Sequence, residues 1–210
     1  MLSPAARPLR WLLVVAVAAG PLIMAAASPL QGSRDVVWVV GGMAGVVALS
    51  LLFLQPILIT GFLSPRRLTQ ERRWHRWIGS AIVVLVLLHV VGLYVTSPED
   101  IMDALLLVSP TPFAVYGVMG LAGVVLTAGL AIVRRSLPLW IWQSVHTVLA
   151  GVIVAGSIVH ALLIEGVMEE TSKLLLCVSL GAATSVALLI TARKAWTARK
   201  TLEASASRIR

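Results

Sequence analysis

The chain has 210 residues, of which 59% are hydrophobic and only 12% are charged. A soluble globular domain carries about 25% charged and about 45–50% apolar residues, so this composition excludes a soluble enzyme and a disordered chain. The formal net charge of +8 does not indicate a nucleic-acid-binding domain, because the basic residues flank apolar runs and form no separate basic region. The mean hydropathy of +0.95 indicates a membrane protein.

Six apolar stretches are long enough to cross a bilayer, whose hydrocarbon core requires about 20 residues of helix. In chain order they cover residues 11–30, 36–62, 75–96, 112–133, 138–164 and 172–192. None shows the alternating pattern of a membrane β-barrel. We therefore predict an all-α integral membrane protein, a six-transmembrane-helix bundle. Its predicted parts are a cytoplasmic N-terminus (1–10), the transmembrane domain (11–192) and a basic cytoplasmic tail (193–210).

The first stretch also resembles a signal peptide. Arg7 and Arg10 precede a short apolar run that ends at the small residues 25–27. The run of about 20 residues is longer than a usual signal-peptide core, so we favour a retained helix. Cleavage would leave five spans.

Glycines in the second and fourth spans predict close helix contacts, because a residue without a side chain lets two backbones approach. These glycines are Gly41, Gly45, Gly117, Gly120 and Gly123.

Charged residues divide unequally between the two ends of the predicted helices. With the N-terminus in the cytoplasm, 15 of the 17 lysines and arginines are cytoplasmic, and only Arg34 and Lys173 lie outside. Seven of the nine acidic residues lie on the outer side. Positively charged loops stay in the cytoplasm, so we expect both termini to be cytoplasmic.

All four histidines lie in two of the six predicted spans. His75 and His89 are in the third span, and His146 and His160 are in the fifth, each pair 14 residues apart. Fourteen residues make almost four helical turns, so each pair shares one helix face with a rise of about 21 Å. Both helices are predicted to run outward. We therefore expect two stacked sites, one of His75 with His146 and one of His89 with His160.

Two facing imidazoles suit the axial positions of a haem iron, and neutral imidazole brings no charge into the bilayer. Gly79 and Gly156 lie four residues from His75 and His160 on the same faces, where small residues leave room for a flat ring. A zinc or copper site fits less well, because its ligands converge on one point. Histidines that only join helices by hydrogen bonds are the structural alternative.

The sequence around these histidines resembles the ferric-reductase-like transmembrane domain. The matching features are the run Arg72-Arg73-Trp74-His75-Arg76-Trp77-Ile78-Gly79, the motif Trp142-x-x-x-His146, and a histidine 14 positions after each histidine in them. The resemblance covers about residues 36–192. The family includes ferric reductases, NADPH oxidases and haem-binding membrane subunits of bacterial methionine sulfoxide reductase systems. It implies two b-type haems, one on each histidine pair, that pass electrons outward from a cytoplasmic reductant.

Ferric reductases and NADPH oxidases usually continue into a cytoplasmic flavin and nicotinamide domain, whereas only 18 residues follow position 192 here. We therefore expect a separate electron donor: a flavoprotein that carries FAD or FMN, a bound flavin, or a quinol. The acceptor outside the cytoplasm stays open between a ferric chelate, oxygen, a quinone and a partner protein. The resemblance to bacterial subunits implies a bacterial plasma membrane.

Arg73 and Arg76 flank His75 at the cytoplasmic end of the third span. We expect them to pair with haem propionates at the inner site, whereas the other arginines nearby are explained by topology and lipid phosphates. Two rival functions stay open. One is a cytochrome b561-like quinol oxidoreductase, and the other is a transporter or scaffold whose histidines are structural and bind no haem.

Overall fold

The computed structural model of the chain describes residues 6–63 and 68–207. The helices of this part are α1 (Ala6–Ala26), α2 (Val36–Thr60), α3 (Leu68–Thr96), α4 (Pro98–Leu105), α5 (Pro112–Val133), α6 (Leu139–Leu163) and α7 (Glu170–Ser207). All of them except α4 are long and apolar enough to cross a membrane. The predicted six-helix membrane bundle is therefore confirmed.

Local sequence signals determine where these helices begin and end. The Asp35 carboxylate accepts a hydrogen bond of 2.7 Å from the Val37 N–H and caps the start of α2. The same helix ends at Gly61, whose φ of 74° is in the left-handed region that favours glycine. Pro112 begins α5, where its missing N–H costs no helical hydrogen bond.

Several helices differ from the predictions: α1 covers Ala6–Ala26, whereas the predicted first span covers 11–30. The third begins at Leu68 rather than at 75, so His75 lies two turns inside the helix. The loop between α3 and α5 contains the short helix α4, and α7 continues without a break from the last span to Ser207. Apolarity marks where a helix is in lipid, whereas a helix continues into water as long as its residues favour it. Residues 1–5 and 208–210 of the predicted terminal segments lie outside the described residues.

The helices pack as two close pairs, α2 along α3 and α5 along α6. Helix α7 contacts α1, α2 and α6, and a core cluster that includes Leu49, Phe53, Leu176 and Leu180 fills the space between α2 and α7. The histidine-bearing helices α3 and α6 make almost no close backbone contact with each other. The fold therefore leaves a gap between α3 and α6, and the histidines of the two helices face each other across it.

Glycines determine how closely the paired helices approach, as predicted. A Cβ on Gly92 of α3 would lie 2.9 Å from the Gly41 Cα of α2, so the two backbones touch at this crossing. In the other pair, a Cβ on Gly123 of α5 would lie 2.6 Å from the Ile153 side chain of α6. The predicted helix contacts of Gly41 and Gly123 are confirmed.

Candidate functional site

The four histidines form two pairs across the gap between α3 and α6. The ring centroids of His75 and His146, the inner pair, lie 6.1 Å apart with the ring planes at 79°. Those of His89 and His160, the outer pair, lie 6.4 Å apart with the planes at 78°. The structure thus brings together the partners that the 14-residue spacing predicts, one imidazole from each helix at each level.

The space between the rings of each pair matches one metal ion. An imidazole nitrogen lies about 2.0 Å from a metal that it binds, so two imidazoles on opposite sides of one ion would have ring centroids about 6 Å apart. The two observed distances agree with this value. Within the described residues, no group of three or more His, Cys, Asp or Glu side chains converges. Each level therefore offers two imidazoles, a pair of donors that could hold the iron of a b-type haem.

Main-chain carbonyl groups orient both imidazoles of the outer pair. The Nδ1 of His89 lies 2.9 Å from the Gly41 carbonyl oxygen of α2, and the Nδ1 of His160 lies 2.9 Å from the Phe113 carbonyl oxygen of α5. An Nδ1–H that donates to a carbonyl fixes the tautomer and leaves Nε2 able to bind a metal. Histidines that bind a metal usually donate their other ring N–H to a carbonyl or carboxylate oxygen in this way.

A glycine lies against each outer imidazole. A Cβ on Gly45 would lie 2.8 Å from the His89 Nδ1, and a Cβ on Gly117 would lie 2.8 Å from the His160 Nδ1. Each glycine comes four residues after the residue whose carbonyl orients the ring. The helix pairs α2–α3 and α5–α6 therefore hold their outer imidazoles in the same way, each with one carbonyl oxygen and one glycine. We predicted helix contacts at these glycines, and the contact with a histidine ring is new information from the structure.

A cavity of about 430 Å³ surrounds the outer pair. Most of its lining is apolar, with Asp100 and Asp103 of α4 and Lys173 of α7 among its few charged residues. The Lys173 ammonium group donates to the Ile164 carbonyl at 2.9 Å and to the Glu170 carboxylate at 2.8 Å. A mostly apolar cavity with a few polar groups is typical of a cofactor site.

The inner pair has a different environment. The His75 ring interacts with the main chain of Gln55, whereas the Nδ1 of His146 is buried and has no hydrogen-bond partner among the described residues. Instead, the His146 ring stacks on Trp142, with ring centroids 5.2 Å apart and planes at 11°. The Arg134 guanidinium carbon lies 5.2 Å from the centroid of the Trp142 ring. The four-residue spacing of Trp142 and His146 is the sequence signal for this contact.

Gly79 and Gly156 each face a neighbouring helix. A Cβ on Gly156 would lie 2.9 Å from the Tyr116 carbonyl oxygen of α5, and a Cβ on Gly79 would lie 3.7 Å from the Gln55 amide nitrogen of α2. Tight packing against α5 accounts for the glycine at 156, whereas the space at 79 would accept a methyl group. The predicted role of these glycines beside a flat ring stays a prediction.

Arg73 and Arg76 are exposed on either side of His75. Their positions keep both guanidinium groups at the end of α3 that holds the inner pair. Their predicted pairing with haem propionates stays a prediction.

Comparison with protein-family models gives a match over the part of the chain that contains the histidines. The family model described as "Ferric reductase like transmembrane component" matches residues 42–163. The matched region extends from α2 to the end of α6 and includes all four histidines. Comparison with curated proteins and with solved structures found no match.

Proposed function

The chain belongs to the family of ferric-reductase-like transmembrane components, and from this premise we propose that it carries electrons across the bilayer through two b-type haems. Family membership makes it a membrane electron-transfer component. The proposal adds the number of haems, their ligands and the direction of transfer.

The observation that carries the proposal is the pairing of imidazoles at two levels between α3 and α6. The ring separation of each pair would allow one iron to be held between the two imidazoles. These residues would hold a haem between such rings, and its iron would supply one-electron redox chemistry there. The residues of the chain would hold the iron ligands in position and, at the outer pair, would surround the group with a mostly apolar cavity.

The proposed direction is outward, from a cytoplasmic donor to an acceptor on the opposite side. Support comes from the distribution of charge: Arg73, Arg76 and Arg134 lie at the end of the bundle with the inner pair, and Asp100 and Asp103 line the cavity at the outer pair. The proposed donor is a flavoprotein with FAD or FMN, or a quinol. The proposed location is a bacterial plasma membrane.

Single histidine substitutions test the pairing. We expect His89→Ala and His160→Ala each to lose the outer haem and to retain the inner one, because either change removes one axial ligand of the outer pair only. Pyridine haemochrome assays with protein quantitation should then give about half the haem per chain of the unsubstituted protein, since one of two groups is lost.

Ser144→Ala is the matched control, because Ser144 is an exposed polar residue of the same helix as His160. It should bind as much haem as the unsubstituted chain. Full haem content in both histidine variants would contradict the proposed ligands.

A further inference from the structure

His146 of the inner pair is held in a different way from the two outer imidazoles. Both outer imidazoles have their Nδ1 beside a carbonyl oxygen, whereas the Nδ1 of His146 is buried without a hydrogen-bond partner among the described residues. The outer ring torsion of a histidine side chain has broad minima, so a ring without this hydrogen bond needs another contact to fix its plane. At His146, the stacked Trp142 ring is a contact that can fix the plane of the imidazole.

Trp142 lies one helical turn before His146, and long side chains in a helix lean toward the preceding turn. The indole and imidazole planes differ by only 11°, so the imidazole lies almost flat on the indole. A rotation of the imidazole about its bond to Cβ would tilt it out of this stack. The contact therefore restricts the same torsion that a carbonyl restricts in the outer pair.

Arg134 holds the indole in turn. Its guanidinium carbon lies 5.2 Å from the centroid of the Trp142 ring, a distance at which a cation is attracted to the face of an aromatic ring. Trp140, two residues away on the same helix, is 70% exposed and fits the interfacial tryptophans of membrane proteins. Trp142 is half-buried and differs from Trp140 in this contact with a histidine.

We propose that Trp142 is a positioning residue that sets the ring plane of His146, and that Arg134 stabilises the indole in this position. The inference rests on the proposed function, because the ring plane matters only where His146 is an axial ligand. It assigns a carbonyl hydrogen bond to each outer imidazole, and to His146 the ring contact with Trp142, whose indole is in turn contacted by Arg134.

The test is electron paramagnetic resonance of the oxidised protein, since the angle between two axial imidazole planes sets the anisotropy of the low-spin ferric signal. The His89→Ala variant first assigns the inner signal, because it removes the outer haem. We expect Trp142→Leu to shift and broaden the inner signal and to leave the outer one unchanged. Haem loss from the inner site should become about threefold to tenfold faster, the range that the loss of one aromatic pair gives.

Three further variants separate positioning from general stability. Trp142→Phe keeps a ring in the stack and should restore most of the inner signal. Trp140→Leu is the matched control and should resemble the unsubstituted protein. Arg134→Gln should shift the inner signal by less than Trp142→Leu does, and Arg135→Gln, at the exposed neighbouring residue, should not shift it.

An unchanged inner signal in Trp142→Leu would overturn the inference, and so would equal effects of Trp142→Leu and Trp140→Leu. Equal loss of both haems in Trp142→Leu and Trp142→Phe would also overturn it, because the tryptophan would then only support the fold. If the unsubstituted chain binds no haem, the proposed function itself fails. If the unsubstituted chain binds two haems and Trp142→Leu gives the same resonance signals, only this inference fails.

Discussion

The imidazoles of the outer pair have little freedom, because the Nδ1 of each lies against both a carbonyl oxygen and a glycine of the neighbouring helix. For His160 these neighbours are Phe113 and Gly117, both on α5. The hydrogen bond fixes the ring plane, and the absent side chain of the glycine provides the space that the ring occupies. A methyl group at the glycine and an imidazole in its present position are mutually exclusive.

Gly117→Ala should therefore displace the His160 ring from the Phe113 carbonyl. Its Cβ would lie 2.8 Å from Nδ1, so the ring has to move. Inserting a side chain into such a tightly packed position typically costs about 1–3 kcal/mol, enough to weaken haem binding at the outer site severalfold or more. Haem quantitation and the optical spectrum should show a weakened outer haem and an intact inner one.

Gly129→Ala is the control for this change, because Gly129 lies on the same helix and a Cβ there meets no atom within 4 Å. It should leave both haems in place. If Gly117→Ala bound the outer haem to the same occupancy and with the same spectrum, the His160 imidazole would not need the space beside this glycine.

The sequence predicted which histidines meet, but not what holds them. The pairing follows from the regular rise of two helices, which needs only the positions 75, 89, 146 and 160. The carbonyl groups of Gly41 and Phe113 depend on how α2 and α5 are rotated and shifted against their partners, and no spacing within one helix contains that information. Trp142 was visible in the sequence, although a tryptophan near a helix end predicts an interfacial position equally well.

At the scale of helices, the crossing of α2 and α3 links packing to the site. Gly41 contacts Gly92 across this crossing, and the carbonyl of the same Gly41 orients His89. A change in the distance between the two helices therefore also moves the hydrogen-bond acceptor of an imidazole.

We expect Gly92→Ala to lower the thermal stability of the protein in detergent and to reduce occupancy of the outer haem. The new Cβ would lie 2.9 Å from the Gly41 Cα, and backbone atoms give way less readily than a flexible side chain, so the helices have to separate. A melting curve together with haem quantitation measures both effects.

Gly151→Ala, on α6 with no atom within 4 Å of its Cβ, should melt like the unsubstituted protein. If Gly92→Ala melted at the same temperature as Gly151→Ala, close contact between α2 and α3 would not contribute to stability.

Apolarity predicted the six membrane helices but not the parts of helices outside the lipid. The polar start of α3, from Leu68 to Trp74, and the extension of α7 to Ser207 are helical without being apolar. The helix α4 has too few residues to produce a membrane signal, although Pro98 at its start and the acidic residues of its first turn are typical of a helix beginning.

At the scale of the whole molecule, the two halves of the site repeat each other. The pair α2–α3 supplies His75 and His89, the pair α5–α6 supplies His146 and His160, and the open space between the pairs holds the imidazoles at two levels. Helices α1 and α7 pack against this arrangement from outside the family match. A chain with these features conducts electrons only if a redox group occupies both levels.

The haem content of the purified, detergent-solubilised chain tests this account most directly. Pyridine haemochrome, reduced-minus-oxidised spectra and protein quantitation should together give two b-type haems per chain, one for each imidazole pair. Absence of haem in protein from cells well supplied with it would contradict the account and leave the four histidines as structural residues.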